Sequence, residues 1–370
     1  MKRRFDIGFL GGGQLARMSI QAAQRMGLRC LSLDPGDDTP ASQIAANIRG
    51  ELHDSDKIAE VLRRCDRVTL ENEFILSDHI DEAFEIAQVD ESILTPGCRS
   101  LHLIQDKLRQ RQALARHGVP TPKAVELEGE GEAAVEQIGF PMVLKARFGG
   151  YDGKGTRYAK TYEDLIKLRP LWAEGGWLSE QFVPFVRELA VMVYLGPQGA
   201  GCFPAMETIQ TDHVCDLVFP SGVDASEIAL AAVEAVEGNG LYGVELFELP
   251  DGSFEVNEIA PRPHNTGHYT LDWGGVSQFE QHVRLVMGWP VSTPTGIDTC
   301  MANLLGHQPS GYHVDAIGAA LAEPGVHFHW YGKAVAKPGR KMGHLNAVGP
   351  DCRARAVKAR ERFYEAWIRA

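Results

Sequence analysis

Two neighbouring runs of alternating apolar and polar residues, 243–249 and 253–259, most restrict how this chain can fold. A Pro-Asp-Gly turn joins them and predicts an antiparallel hairpin. The hairpin places Glu245 and Glu258 on adjacent strands, with Asn257 beside the second carboxylate. Two carboxylates and an amide suit a magnesium ion that bridges phosphates. A solvated acidic strand pair followed by a turn is the alternative interpretation.

Composition limits the class of protein. The chain has 370 residues, too many for a single hydrophobic core, so two or three domains are expected. The net charge of −12 provides no basic surface for a polyanion, so nucleic acid is not an expected partner. No run of about 18 apolar residues occurs, and we expect no membrane span. Seven scattered cysteines without a Cys-x-x-Cys pair are typical of reduced thiols in a cytoplasmic protein.

The N-terminal residues predict a doubly wound α/β domain. Strands are expected at residues 5–10, 28–33 and 66–70, alternating with helices at 14–26 and 54–64. The third strand ends in Glu71, Asn72 and Glu73, and ligands of open parallel sheets bind at the carboxyl ends of the strands. A polar loop is the alternative interpretation of these three residues.

The first predicted turn contains a nucleotide-binding pattern. Gly11, Gly13 and Ala16 fit the fingerprint G-x-G-x-x-[GA], and Asp34 lies about 20 residues further on, where an acid binds a ribose hydroxyl. A nicotinamide-dependent dehydrogenase is therefore one open hypothesis. The glycines can equally serve only as a tight turn, or the helix N-terminus can hold a substrate phosphate.

The middle of the chain predicts a phosphate-binding loop. An amphipathic helix at residues 101–117 ends at Gly118, and we expect a domain junction there. The strand at 141–147 carries Lys145 and leads into GGYDGKG at 149–155, where four glycines let backbone N–H groups approach phosphates. A plain hairpin turn needs fewer glycines, and the G-x-x-x-x-G-K-[ST] pattern of a P-loop is missing.

These segments together predict an ATP-magnesium site spread along the chain. The strand at residues 177–183 offers its backbone and Glu180 to an adenine, and the strand at 187–195 begins with Arg187 and Glu188. His327 and His329 alternate on a further strand without a third ligand at metal spacing, so histidines satisfied within a sheet are expected there.

Four segments resemble the ATP-grasp superfamily and, within it, the 5-(carboxyamino)imidazole ribonucleotide synthases. They are GGGQLARM at residues 11–18, GGYDGKG at 149–155, NEIAPRPHNTGHYT at 257–270, and HWYGK with RKMGHLN at 329–333 and 340–346. The resemblance implies an α/β and α+β architecture in three domains. These are a Rossmann-like N-terminal domain at 1–95, an ATP-grasp region at 96–296 with a lid subdomain at about 123–185, and a small C-terminal domain at 297–370.

The resemblance also implies a reaction. ATP phosphorylates bicarbonate, and the amino group of 5-aminoimidazole ribonucleotide captures the carboxyphosphate or the carbon dioxide that it releases. ATP and magnesium are the implied cofactors, and a homodimer is the implied assembly.

Residue roles follow from the matched positions. The nucleotide site comprises Lys107, Lys145, Gly149, Gly150, Tyr151, Asp152, Gly153, Lys154, Gly155, Glu180, Gln181, Phe182, Val183, Glu188, Asn257 and Glu258. Magnesium is assigned to Glu245 and Glu258, and the catalytic groups are the bicarbonate pocket of Arg262, His264 and Asn265 together with Lys333. The ribonucleotide is assigned to Gln14, Glu73, Tyr151, Asp152, Lys333 and Arg340.

Two more functions stay open beside the dehydrogenase. A relative that activates formate for glycinamide ribonucleotide shares the fold, although the APRPHN loop and the HWYGK segment disfavour it. A catalytically silent ATP-binding regulator is disfavoured by the intact acidic pair and both lysines. The chain departs from the family where Thr208-Ile209-Gln210 stands in place of the usual Asn-x-His.

Overall fold

The N-terminal part is a parallel sheet with helices packed around it. The computed structural model describes residues 5–150, 155–306 and 313–369. The N-terminal strands are β1 (Phe5–Leu10), β2 (Cys30–Asp34), β3 (Ala46–Arg49) and β4 (Cys65–Leu70), and the helices are α1 (Gln14–Arg25), α2 (Ser55–Arg64), α3 (Ser77–Ala87) and α4 (Cys98–Gln105). The strand order β3-β2-β1-β4 is parallel throughout, which confirms the predicted α/β domain. The sequence pattern did not indicate β3, which has a single buried residue, Ile48.

The single helix predicted over residues 101–117 is wrong. It is two helices, because α4 ends at Gln105 and α5 (Lys107–Arg116) begins anew. Asp106, only 2% exposed, causes the break: its Oδ1 accepts the N–H of Leu108 at 3.0 Å and the Nε–H of Arg147 at 3.0 Å. The break places Lys107 in the first turn of a new helix, facing the acidic hairpin.

A small antiparallel sheet follows in the chain. Its strands are β5 (Ala124–Glu126), β6 (Met142–Ala146), β7 (Thr156–Ala159) and β8 (Trp177–Gln181), with helices α6 (Glu132–Gln137) and α7 (Tyr162–Leu168) and a 3-10 helix (Arg169–Leu171). The strand order is β5-β8-β6-β7, around a core that contains Leu144 and Trp172. Between β6 and β7 the chain passes through the glycine-rich loop, whose Tyr151, Asp152, Gly153 and Lys154 lie outside the described residues.

The large sheet carries the predicted hairpin at one edge. Its strands are β9 (Arg187–Gly196), β10 (Gly199–Cys202), β11 (Met206–Thr211), β12 (Val214–Pro220), β13 (Gly240–Glu248), β14 (Phe254–Ala260), β15 (Thr299–Leu305), β16 (Val326–Trp330) and β17 (Lys341–Val348). The order is β14-β13-β9-β11-β12-β15-β17-β16, and β10 pairs with β9. The C-terminal strands therefore extend this sheet, through the pairing of Leu217 with Ala302 and of Val218 with Met301.

Helices cover the large sheet and connect it to the N-terminal part. They are α8 (Ser226–Ala235), α9 (Gln278–Met287), α10 (Val314–Leu321) and α11 (Cys352–Arg369), with a 3-10 helix (Asn265–Leu271) after β14. Val283 and Val286 of α9 share a core cluster with Ile20 of α1, because both helices pack their apolar faces together. Among the described residues, every helix is too short or too polar to span a lipid bilayer.

Candidate functional site

A cavity of about 1110 Å³ lies where the three sheets meet. It is lined by nearly all of the predicted site residues that the structure describes: Gln14, Glu73, Lys107, Lys145, Gly150, Gly155, Glu180, Gln181, Phe182, Val183, Glu188, Glu245, Asn257, Glu258, Arg262, His264, Asn265, Lys333 and Arg340. Gly149 lines an adjoining pocket of about 230 Å³ instead. Residues that are far apart in the sequence are thus brought to one space.

The acidic pair lies on the floor of this cavity. Glu245 in β13 is the direct cross-strand partner of Glu258 in β14, as the hairpin pattern predicted. Burial, together with the charges of Glu258 and Glu188, raises the pKa of Glu245 to about 8. Burial acts in the same direction on Glu258, but Lys107, Lys145 and Arg111 together outweigh it and lower the pKa of that carboxyl, with Lys107 Nζ 2.8 Å from Glu258 Oε1. Two hard oxygen donors that repel one another form a donor set that fits a divalent cation such as magnesium.

A second carboxylate holds the other lysine. Lys145 Nζ lies 2.7 Å from Glu180 Oε2 and donates to Asn257 Oδ1 at 3.3 Å. Arg111 binds the other oxygen of Glu180, Nε to Oε1, at 2.8 Å. Burial alone would raise the pKa of Glu180, but Arg111 and Lys145 together lower it to about 2. Glu180 is therefore a charged anchor for Lys145, and the backbone of its segment remains as the surface that can face an adenine.

Arg111 is a residue that the sequence reasoning missed. It is buried, and it donates from Nη1 to Val256 O at 3.1 Å and from Nη2 to Asn257 O at 2.6 Å. It thus joins α5 to the strand that carries Glu258. The available signal was its position one helical turn after Lys107, which puts both cations on the same face of a helix.

The loop after β14 presents an arginine that is already oriented. Arg262 Nη2 donates to Glu73 Oε1 at 2.7 Å, and its Nε donates to Glu73 Oε2, so the pair is bidentate. Burial opposes the charge of Arg262, but Glu73, Glu71 and Glu258 together outweigh it and raise the pKa of the guanidinium. Glu73, which was expected to contact the ribonucleotide, here orients Arg262 from the N-terminal sheet.

His264 and Asn265 are held just beyond this arginine. His264 Nδ1 lies 2.9 Å from Thr266 Oγ1. Burial and the charge of Arg262 lower the pKa of His264 to about 3, so its imidazole is neutral near pH 7. The amide of Asn265 pairs in both directions with the amide of Asn303 in β15, at 3.1 and 2.5 Å. Asn303 was not predicted, because only the assembled sheet brings β15 to this loop.

The cationic end of the cavity is formed by the loop before β17. Lys333 Nζ donates to Lys341 O at 2.6 Å, and Arg340 Nη1 donates to Val335 O at 2.9 Å. Gln14, the first residue of α1, lines the same cavity from the N-terminal sheet. These three side chains were predicted to form one phosphate-binding group, and the structure brings them to one cavity.

Acidic side chains occupy the glycine turn that suggested a dinucleotide. Asp34 Oδ2 accepts the N–H of Gly12 at 2.9 Å, so the predicted ribose ligand stabilises the turn itself. Glu71 Oε1 accepts the N–H of Leu15 at 3.3 Å at the start of α1, and a Cβ on Gly13 would lie 2.2 Å from that oxygen. The N–H groups of Gly12 and Leu15, which a dinucleotide would use at this turn, are thus already bound to carboxylates of the protein, so this geometry disfavours the dehydrogenase.

Two further segments with predicted polar residues lie beside the main site. Gln210, which ends the segment that departs from the family pattern, lines the cavity and hydrogen-bonds to Glu188. His327 and His329 both face Asp272, with His329 Nε2 2.7 Å and His327 Nδ1 3.6 Å from its two oxygens. His329 is thus satisfied within the sheet, as predicted, by Asp272, a partner that the sequence did not indicate, and the half-exposed His327 lies within ion-pair distance of the same carboxylate.

Three family descriptions match consecutive parts of the chain. The ribonucleotide synthetase preATP-grasp domain matches residues 4–105, the ATP-grasp domain matches 112–279, and the phosphoribosylaminoimidazole carboxylase C-terminal domain matches 299–359. Together they extend over most of the sequence. They agree with the predicted architecture of a Rossmann-like domain, an ATP-grasp fold and a C-terminal region.

Individual relatives match more than nine tenths of the chain. The chain is 38% identical to the N5-carboxyaminoimidazole ribonucleotide synthase of Synechococcus elongatus, over 92% of this chain and 88% of the relative. It is 37% identical to the phosphoribosylaminoimidazole carboxylase of Ogataea methanolica over 94% of this chain, but it spans only 68% of that longer protein.

Solved structures show the same fold. A carboxyaminoimidazole ribonucleotide synthase from Aspergillus clavatus, complexed with ATP, superposes with a TM-score of 0.88 at 30% identity, over 99% of this chain and 100% of that one. The enzyme from that source with ADP and 5-aminoimidazole ribonucleotide superposes with a TM-score of 0.87 at 30% identity, over 100% of both chains.

Proposed function

The chain belongs to the family of N5-carboxyaminoimidazole ribonucleotide synthases, and we propose that its cavity performs the ATP-dependent carboxylation of 5-aminoimidazole ribonucleotide with bicarbonate. The protein is an ATP-dependent carbon–nitrogen ligase of purine biosynthesis. One observation carries the assignment of the cavity: two lysines, an acidic pair and an oriented arginine–histidine–asparagine loop line the same continuous space.

The lysine end of the cavity suits the phosphates of ATP. Lys107 and Lys145 are each held by a carboxylate, Glu258 and Glu180, so their charges are in place before a nucleotide arrives. Phosphoryl transfer depends on positioning and charge neutralisation more than on a covalent nucleophile. Glu245 and Glu258 would hold a magnesium ion, which neutralises phosphate charge when bound.

The arginine end of the cavity suits bicarbonate. An oxygen of bicarbonate attacks the γ-phosphorus of ATP, ADP leaves, and carboxyphosphate forms. Arg262 can bind a planar oxyanion in two contacts and is kept oriented by Glu73. A neutral His264 and the fixed amide of Asn265 add hydrogen bonds rather than charge, so negative charge can move through the site without being trapped.

The third part of the cavity suits the ribonucleotide. Its amino group attacks the carbonyl carbon of carboxyphosphate, or the carbon dioxide derived from it, and inorganic phosphate leaves. Lys333, Arg340 and Gln14 supply the donors for the ribonucleotide phosphate. Tyr151 and Asp152 remain predicted contacts to the imidazole or ribose. Because carboxyphosphate hydrolyses readily, the glycine-rich loop between β6 and β7 would exclude water by closing over the cavity.

The family resemblance suggests the assembly, and the unpaired cysteines suggest a reducing compartment. We place the protein in the cytoplasm as a homodimer, with free thiols at all seven cysteines, which form no disulfide in the structure. Gel filtration with light scattering tests the dimer, because a mass near that of a single chain of 40.6 kDa contradicts it.

A phosphate-release assay tests the reaction. The purified protein should release phosphate from ATP only when both bicarbonate and 5-aminoimidazole ribonucleotide are present, and one carboxylated product should form for each phosphate. Release that is independent of both substrates would contradict the proposal. Formate with glycinamide ribonucleotide should support no release, which separates this enzyme from its formate-activating relatives.

The substitution Glu258→Gln tests the assignment of the acidic pair in the same assay. The substitution removes one carboxylate of the proposed metal pair and the partner of Lys107, so turnover should fall at least about 100-fold while the circular dichroism spectrum is unchanged. A variant that keeps nearly full activity would contradict the assignment of the acidic pair.

A further inference from the structure

Gln278, the first residue of α9, lies fully buried directly behind the loop that carries His264. Its side-chain amide pairs with the backbone of His264 in both directions. Oε1 accepts the N–H of His264 at 2.9 Å, and Nε2 donates to His264 O at 2.8 Å. The second hydrogen on Nε2 is directed to Nδ1 of the buried His268 at 2.9 Å. One amide therefore fixes the backbone at His264 and the ring of His268 together.

Close packing leaves this loop little freedom. A Cβ on Gly267 would lie 2.5 Å from Gln278 Oε1, and a Cβ on Gly243 would lie 2.6 Å from His264 Cβ. The loop is thus pressed between strand β13 on one side and the amide on the other. The hydroxyl of Thr270 accepts the N–H of Gln278 at 2.9 Å, which fixes the start of α9 against the same loop.

We propose that Gln278 is a positioning residue for bicarbonate, which sets the direction of the His264 imidazole and the Asn265 amide relative to Arg262. The inference rests on the proposed function of this cavity. Gln278 does not line the cavity, so its effect passes through the backbone that it holds. Displacements of about 1 Å in groups that orient a reactant can reduce rates about 100-fold. Loss of the hydrogen bonds from Gln278 to His264 should therefore lower the reaction rate measurably.

The same helix contains a matched control. Gln281 is also fully buried, and its amide pairs in both directions with the backbone of Ser292, at 2.9 Å from Nε2 to O and 3.1 Å from N to Oε1. Gln281 matches Gln278 in side chain, burial and helix, but Ser292, the residue whose backbone it binds, does not line the cavity. Methionine has nearly the volume of glutamine without its hydrogen bonds, so Gln278→Met and Gln281→Met carry similar structural costs.

Steady-state kinetics of the two variants test the inference. In Gln278→Met, the KM for bicarbonate should rise about 10-fold or more while the KM for ATP changes less than about twofold. The ratio of phosphate released to carboxylated product should also exceed one, because poorly placed carboxyphosphate is lost to water. Gln281→Met should keep the wild-type KM for bicarbonate and the wild-type ratio. Gly267→Ala provides a second variant that displaces the amide without removing it and should reproduce the effect of Gln278→Met.

The outcomes separate the two claims. If the wild type shows no bicarbonate-dependent phosphate release, the proposed function is wrong and the inference is wrong with it. If the wild type is active but Gln278→Met and Gly267→Ala match Gln281→Met in both readouts, Gln278 has a structural role alone. Should Gln278→Met fail to fold, Gly267→Ala decides between these results.

Discussion

Glu180 shows how a single buried carboxylate can organise one end of the site. Its two oxygens bind Arg111 and Lys145, and these partners offset the cost of burying three charges. Removing one member leaves the others uncompensated. The arrangement places a cation at the cavity wall while the carboxylate that anchors it remains buried.

Glu180→Gln should therefore destabilise the protein at pH 7 by about 3 kcal/mol, as expected when a buried ion pair loses one partner. Because the folded-state pKa of Glu180 lies near 2, below its unfolded value of about 4.5, the wild-type contribution is present above pH 4.5 and is lost as pH falls toward 2. Urea unfolding at pH 7 and pH 4.5 should show a difference between wild type and variant that begins to narrow at the lower pH. Glu163→Gln, which breaks the exposed pair with Lys167, is the control and should change little at either pH. An equal loss in both variants at pH 7 would contradict the anchoring role.

At the scale of elements, the break between α4 and α5 determines where Lys107 points. Asp106 caps α5 and also binds Arg147, whose carbonyl accepts the N–H of Lys107 at 3.0 Å. The start of α5 is thus joined to the strand end that leads into the glycine-rich loop. A continuous helix, as the amphipathic pattern predicted, would have directed Lys107 elsewhere.

Asp106→Ala should cost at least about 1 kcal/mol of stability through the lost cap and raise the KM for ATP several-fold, because Lys107 and the base of the loop lose their common anchor. Asp54→Ala removes a comparable cap from α2, where Oδ1 accepts the N–H of Lys57 at 3.1 Å. That control should lose about 1 kcal/mol, less than Asp106→Ala, which also removes a carboxylate from Arg147, and its KM for ATP should be unchanged. Equal KM values in the two variants would show that the break serves only to cap a helix.

Local patterns predicted the elements that local chemistry determines. The acidic hairpin, the glycine turn after β1 and the strand before the glycine-rich loop follow from alternation and turn residues, and the structure contains each of them. Arg147, which binds Asp106 at the helix break, and Asn303, which binds Asn265, each lie more than 35 residues from their partners, where no local period reaches. Arg111 contacts β14 across a longer distance, and its local signal was its place one turn after Lys107. Site residues were predictable where a motif carried them, and their anchors were not.

At the scale of the whole molecule, the cavity depends on contacts between its separate sheets. Thr69 of β4 hydrogen-bonds to Nε2 of His282 in α9 at 3.0 Å, in an interior that excludes water. His268 and His344 are buried alongside the large sheet, and His264 is partly buried at the cavity wall. Burial favours the neutral imidazole in all four, so folding and protonation oppose one another at these positions.

This burial predicts how the protein responds to acid. Burial lowers the pKa of His264 and His282 to about 3, against an unfolded value near 6.5, and lowers that of His268 and His344 well below it. Between pH 6.5 and 3 the unfolded chain therefore binds protons that the folded chain does not, and the free energy of unfolding falls as pH falls. Each such histidine removes about 1.4 kcal/mol per pH unit once it titrates fully in the unfolded state.

Urea midpoints measured from pH 7.5 to pH 4.5 should decline along this slope, and His282→Gln should decline less steeply because one proton is no longer taken up on unfolding. The slope is the diagnostic quantity, since the lost hydrogen bond to Thr69 lowers the variant's stability at every pH. Parallel curves for wild type and variant would contradict the neutral, buried state of His282. The four histidines thus couple protonation to the packing that encloses the cavity, so acid should open the molecule before it protonates His264 within the folded site.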